Sequence, residues 1–208
     1  MRLLLATTNL GKLGEIRELL AGLPVDVRAL ADYPPIDPPD ETGHTFVENA
    51  RQKALFYAPR TGILTVAEDS GLEIEPLGGA PGVHSARFGG ADSSYPEKFA
   101  LIYEKLRLVP DAERTARFVC ALAVADAGRI VFEARGTVEG RIAPEPRGAG
   151  GFGYDPIFVP VGWDITMAEL TDEQKDRISH RGRAFRALLE ILQGAPDLGE
   201  PGGLPNSR

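Results

Sequence analysis

The chain has 208 residues, of which 43% are apolar and 25% charged, proportions that suit one globular domain or two small lobes sharing a core. No apolar run approaches the roughly 20 residues of a membrane span. A net charge of −7 argues against broad binding to a DNA or RNA backbone, though not against a small anionic ligand. The single cysteine, Cys120, excludes an intrachain disulfide and a thiolate metal cluster, and within FVCALAVA it reads as a buried, inert thiol.

Residues 2–6, RLLLA, read as a short buried strand. That apolar run is too short for a secretory signal, so a cytoplasmic protein is expected. TTNLGK follows and leads into a helix, with Leu13, Ile16, Leu19 and Leu20 at helical spacing and a stop at Gly22-Leu23-Pro24. Four prolines in 32–43 predict an extended loop. A second helix starts near Thr45 and runs through FVENARQKALFYA. ILTVA at 63–67 is a short strand expected to end at Glu68-Asp69-Ser70-Gly71. A glycine-rich loop occupies 78–90, and a helix follows at 96–107 with Phe99, Ile102, Tyr103 and Leu106 on one side. RFVCALAVA and RIVFEARGTVEGRI read as two strands joined at Asp126-Ala127-Gly128. PIFVPVG is a further short strand. Thr171 to Gln174 fits a capping box, and the last helix begins near Ser179. The order β-α-α-β, a hairpin, then helices predicts an α/β protein with a mixed sheet, in one domain over residues 1–195. A flexible Pro/Gly-rich tail is expected at 196–208.

The chemistry-bearing residues follow from these elements. TTNLGK, between a strand and a helix, presents backbone N–H groups and a positive dipole end to an anion. Lys12 adds a charge, and Thr7, Thr8 and Asn9 add donors. It is not a Walker A loop, because Ala6 stands at the first glycine position and Leu13 at the Ser/Thr position. The plainer alternative is a helix cap with one exposed lysine. A carboxylate at a strand end, as in Glu68-Asp69, could hold Mg²⁺ and orient a water, or it could be a solvated turn. Adjacent strand residues point to opposite faces, so only one of the two can face a given cleft. Glu48 could reach a metal, or could only close a capping box with Thr45. Lys53 lies further along the same helix. Ser179 is a good N-cap, and His180-Arg181 could face a ligand or decorate the surface. GAGGFG at 148–153 satisfies the dinucleotide pattern G-x-G-x-x-G, but Asp155-Pro156 follows at once and forbids the helix that pattern opens.

The order of these motifs is more specific than any one of them. Strand–TxNxGK–helix, FVENA, EDSGL, GAPGVHSARF, GGFGYDPIF and SHR together resemble the inosine triphosphate pyrophosphatase family over residues 3 to about 193. The family hydrolyses non-standard purine nucleoside triphosphates such as ITP, dITP and XTP.

The resemblance implies a two-lobed α/β fold, a long mixed sheet flanked by helices, with the nucleotide in a cleft between the lobes. It also implies a homodimer that requires Mg²⁺ and cleaves between the α and β phosphates, serving the nucleotide pool. Neither a nucleic-acid polymer nor a membrane is an expected partner. On this likeness Thr7, Thr8, Asn9, Leu10, Gly11 and Lys12 hold the triphosphate, with Lys53 nearby. Glu48 and Asp69 bind the metal, and Asp69 is also the catalytic proton acceptor. Ser70 contacts substrate. Phe152, Gly153, Tyr154 and Asp155 line the base pocket, the glycines around them allowing close approach to the ligand. Lys175, His180 and Arg181 close over the base. Many relatives carry two aspartates where this chain has Glu68-Asp69, so Glu68 is given no metal role. His84 stands where relatives often carry an aromatic residue and is assigned nothing. A related pyrophosphatase for modified pyrimidine nucleotides and a non-catalytic nucleotide-binding module remain as alternatives.

Overall fold

The computed structural model describes residues 1–194; the tail at 196–208 lies outside the described residues. Strand β1, Arg2–Leu5, buries its three leucines. Helix α1, Leu10–Leu19, starts at Asn9, whose side chain accepts the Lys12 N–H. Strand β2, Asp26–Ala29, pairs parallel with β1. Sequence reading passes over it, because four residues around one valine carry too little pattern and β1 supplies the pairing partner.

Helix α2, Phe46–Thr61, opens on a reciprocal capping box between Thr45 and Glu48 and stops at Gly62, which adopts φ 69°. Strand β3, Leu64–Ile74, is the main departure from expectation. It does not end before the acidic pair but runs straight through Glu68 and Asp69. Helix α3, Tyr95–Leu106, is followed by β4, Thr115–Asp126, and β5, Arg129–Ile142. The short β6, Phe158–Pro160, pairs antiparallel with β5. Helices α4, Asp172–Ile178, and α5, His180–Gly194, complete the described chain. The sheet has six strands in the order β2-β1-β3-β4-β5-β6, with β1 parallel to both its neighbours. The expected α/β fold with a mixed sheet is borne out.

The chain divides into two compact units. Of the described residues, the first takes 1–69, 121–135 and 183–194. Its core packs Leu4, Ala50, Ala54, Tyr57 and Ala67 with Ala123 and Ala125. The small residues of α2 and β4 let helix and strand approach closely. The second unit takes residues 70–120 and 136–182. Its core is larger in side chain, with Leu72, Ile74, Phe99, Ile102, Phe118, Ile142 and Phe158 among its members.

The β4–β5 hairpin turns through Ala127 and Gly128, both at positive φ, 45° and 81°. Two successive positive φ values suit the twist of a two-residue hairpin. Gly128 accepts this freely, whereas Ala127 is strained by its Cβ. Asparagine tolerates this conformation, so Ala127→Asn is expected to stabilise the protein by about 0.5–1 kcal/mol. A higher urea midpoint at unchanged m-value would show it; an unchanged or lower midpoint would contradict it.

Candidate active site

In the first unit, the mid-strand carboxylates of β3 meet lysines from two helices. Both Glu68 and Asp69 are buried. The Glu68 carboxylate lies 3.0 Å from Lys12 Nζ, which comes from the first turn of α1. The Asp69 carboxylate lies 3.4 Å from Lys53 Nζ of α2 and accepts a hydrogen bond from Asn49 Nδ2 at 3.0 Å. Lys53 also donates to Glu41 at 2.9 Å. Strand alternation thus divides the two acids between two helices. Charges buried this deeply in a strand persist only when paired, and each of these is.

Burial pushes the Asp69 carboxyl above the usual aspartate range, against the opposing pull of Lys53, Lys12 and the Asn49 amide. Burial acts on Lys53 in the opposite sense, yet Asp69, Glu41 and Glu68 outweigh it and hold the ammonium above its ordinary value. One amine facing three carboxylates stays charged.

Thr7 and Asn9 form the turn ahead of α1, the Asn9 N–H donating to Thr7 Oγ1 at 3.2 Å. Thr8, Asn9 and Leu10 are exposed there, and Gly11 follows in the first helical turn. Glu48 Oε2 accepts from the backbone N–H groups of His44 and Thr45, at 2.7 and 3.2 Å. The cap reading of Glu48 therefore holds in this state, and its exposed carboxylate keeps a second oxygen. Among the described residues, no group of three or more His, Cys, Asp or Glu side chains forms a metal cage.

In the second unit, the candidate residues gather around buried cations. Lys175 Nζ donates to Asp155 Oδ2 at 2.7 Å, and the Phe152 N–H donates to the same oxygen at 2.9 Å. Arg181 Nη2 donates to Ser70 Oγ at 3.0 Å. Lys175 and Arg181 lie 5.2 and 5.6 Å from the Phe152 ring centre. The His180 ring stacks on Phe118 at 4.9 Å between centres and 14° between planes. His180 and Arg181 are buried, so surface decoration is ruled out for this pair. Ser179 caps α5, its hydroxyl accepting the Gly182 N–H. Tyr154 is placed differently: its ring joins the hydrophobic core and its hydroxyl donates to the Ser85 carbonyl at 2.8 Å.

The glycines of GAGGFG have a local reason. Gly148, Gly151 and Gly153 have φ of 82°, 65° and 69°. A Cβ on Gly148 would lie 2.6 Å from the Ala168 carbonyl, and one on Gly151 would collide with the Asp155–Lys175 pair. Within the chain, a side chain at Gly148 or Gly151 would therefore displace its own neighbours. A short turn at Asp155–Ile157 and then β6 follow, so no helix opens on these glycines. The dinucleotide fingerprint is excluded.

Three residues at these clusters, Asn49, Glu41 and Phe118, escape sequence reading. Asn49 lies at i, i+4 from the expected Lys53 on one helix, a signal that places the two side by side. Glu41, in the proline-rich loop, and Phe118, in an apolar run, carry no such signal.

Residues 3–191 match the model of the Ham1 family. The chain belongs to this family. A dITP/XTP pyrophosphatase of Gloeobacter violaceus is 51% identical over 187 residues, covering 90% of this chain and 92% of that protein. One of Exiguobacterium sibiricum is 47% identical over 192 residues, covering 92% and 97%. The solved structure of a HAM1 protein from Coxiella burnetii, 39% identical, superposes with a TM-score of 0.86 and covers 94% of this chain and all of that one. The family resemblance carried by the motif order is borne out.

The raised Asp69 value has a consequence for stability. A carboxyl held above its unfolded value favours the fold while protonated, and that contribution is lost as pH rises through the shifted value. Asp69→Asn has no such loss. In EDTA, the Tm difference of variant minus wild type is expected to grow from about pH 4 to about pH 7. A difference that stays flat or shrinks over that range would contradict the shift.

Proposed function

We propose that this protein is a nucleoside triphosphate pyrophosphatase. It hydrolyses ITP, dITP and XTP to the nucleoside monophosphate and pyrophosphate, removing non-standard purines from the nucleotide pool. The observation that carries the reading is the buried Asp69 carboxylate flanked by Lys53 and near Lys12, in a chain whose relatives bear the name dITP/XTP pyrophosphatase. The reading extends to a cytoplasmic homodimer in which residues 1–195 act as one domain. Among the described residues no helix is long and apolar enough to cross a membrane.

Hydrolysis at phosphorus is mostly positioning and charge neutralisation. Thr7 to Lys12, with exposed N–H groups and hydroxyls at the start of α1, meets the phosphate oxygens, and Lys12 and Lys53 offset their charge. Asp69 accepts a proton from the attacking water. The water oxygen bonds to phosphorus, the anhydride bond between α and β phosphates breaks, and pyrophosphate leaves with the bonding electrons. The donor set suits a hard cation: Mg²⁺ takes one or two carboxylates and shares the rest of its shell with substrate phosphates, and Asp69 and Glu48 would hold it. Such an ion supplies charge neutralisation to the phosphoryl oxygens. On the family likeness, Phe152, Lys175, His180 and Arg181 are assigned to the base. Phe152 offers a face to a purine ring, and Lys175, His180 and Arg181 offer donors to its 6-oxo group. Adenine presents an amino donor there instead of an acceptor, so donors aimed at that position would meet another donor, a large penalty.

An assay panel of ITP, XTP, dITP, GTP, ATP and pyrimidine triphosphates, with and without Mg²⁺, tests the reading. Mg²⁺-dependent pyrophosphate release from ITP, dITP and XTP is expected; orthophosphate release, or turnover confined to pyrimidines, would overturn it. Asp69→Asn is expected to lower kcat by about 10²–10⁴-fold while nucleotide binding persists. Lys12→Ala is expected to lower kcat/KM on the order of 100-fold for every triphosphate alike. A loss confined to one base would show that Lys12 serves recognition rather than the phosphates.

A further inference from the structure

We propose that Asn49 is a positioning residue that fixes the orientation of the Asp69 carboxylate, an inference that rests on the reading of Asp69 as the proton acceptor. Asn49 is wholly buried, where an unsatisfied amide would be costly. Both ends of its side chain are used. Its Nδ2 donates to Asp69 Oδ2 at 3.0 Å, and its Oδ1 accepts the Gly43 N–H at 2.8 Å. These two contacts leave one orientation for the amide. Flipping it would set Oδ1 against a carboxylate oxygen and the NH₂ group against another N–H.

The same contacts distinguish the two oxygens of Asp69. Oδ2 is tied to the neutral amide, and Oδ1 faces Lys53 Nζ. The terminal torsion of an aspartate is broad, so nothing within Asp69 itself selects this arrangement. With Oδ2 held, the carboxylate cannot swing, and its free lone pairs keep one direction toward an attacking water.

The parts around Asn49 make the arrangement rigid. Thr45 and Glu48 cap α2 just before it, and the Asn49 N–H donates to the Thr45 carbonyl at 3.2 Å. Gly43 is needed for the approach of its N–H: a Cβ there would lie 2.5 Å from Asn49 Oδ1 and 2.7 Å from Glu48 Cβ. A line of hydrogen bonds thus runs from the loop before α2, through one amide, to the carboxylate on β3.

The test compares Asn49→Leu and Asn49→Ser with wild type and Asp69→Asn. Each is assayed with ITP and Mg²⁺. Binding sites are counted by calorimetry with an ITP analogue whose α,β bridge is a methylene group. Asn49→Leu is expected to lower kcat per binding site by about 10–100-fold, with KM changed less than about threefold. Asn49→Ser, which keeps one hydroxyl donor, is expected to fall between Leu and wild type and supplies the comparison should Asn49→Leu not fold. A purely structural role would reduce the number of binding sites and leave the rate per site within about twofold of wild type; that result would overturn the proposal. Should Asp69→Asn turn over at the wild-type rate, the reading of Asp69 fails instead. Loss of turnover in Asp69→Asn with a normal rate per site in both Asn49 variants would sink the positioning role alone.

Discussion

Two carboxylates in the middle of a buried strand set the terms for the first unit. A strand interior normally excludes ionised groups, because removing a carboxylate from water is unfavourable by several kcal/mol unless partners replace the lost solvation. In β3, Glu68 and Asp69 are tolerated because α1 brings Lys12 and α2 brings Lys53 and Asn49 to them. The alanines that pack α2 close in this core, Ala50 and Ala54, bring those side chains within reach. A cluster that is expensive for the fold has the features of a candidate site: one carboxyl above its usual value, one ammonium kept charged, and a second lysine close by.

The second unit solves a similar problem with different parts. Lys175 and Arg181 are buried cations, held by Asp155 and Ser70 respectively. Aromatic rings lie beside them, with Phe152 near both and Phe118 stacked on His180. Gly151 permits the Asp155–Lys175 pair to lie against the loop, since any side chain there would occupy the same space. The positive φ of Gly151 therefore serves the ion pair, and that of Gly148 the approach to Ala168. Tyr154 shows the cost of reading a motif as a unit: within GFGYD it lies between Phe152 and Asp155 of the cluster, yet its ring is core and its hydroxyl anchors the turn at Ser85.

The features legible in the chain alone are local or ordinal. Capping boxes at Thr45 and Thr171, the N-caps Asn9 and Ser179, and the Ala127-Gly128 turn depend on residues a few positions apart, so they are legible from spacing alone. The proline after Asp155 likewise excludes a helix on GAGGFG from sequence alone. The order of motifs pointed to the family over nearly the whole chain. Tertiary structure decided what depends on partners distant in sequence. β2 exists because β1 offers an edge, and β3 continues through its acids because lysines 56 and 16 residues earlier neutralise them. Whether His180 is surface or stack, and which groups of the chain lie against the loop glycines, were open from sequence for the same reason. Hydrogen bonding, burial and close approach belong to pairs of residues brought together by the fold, and no single segment carries them.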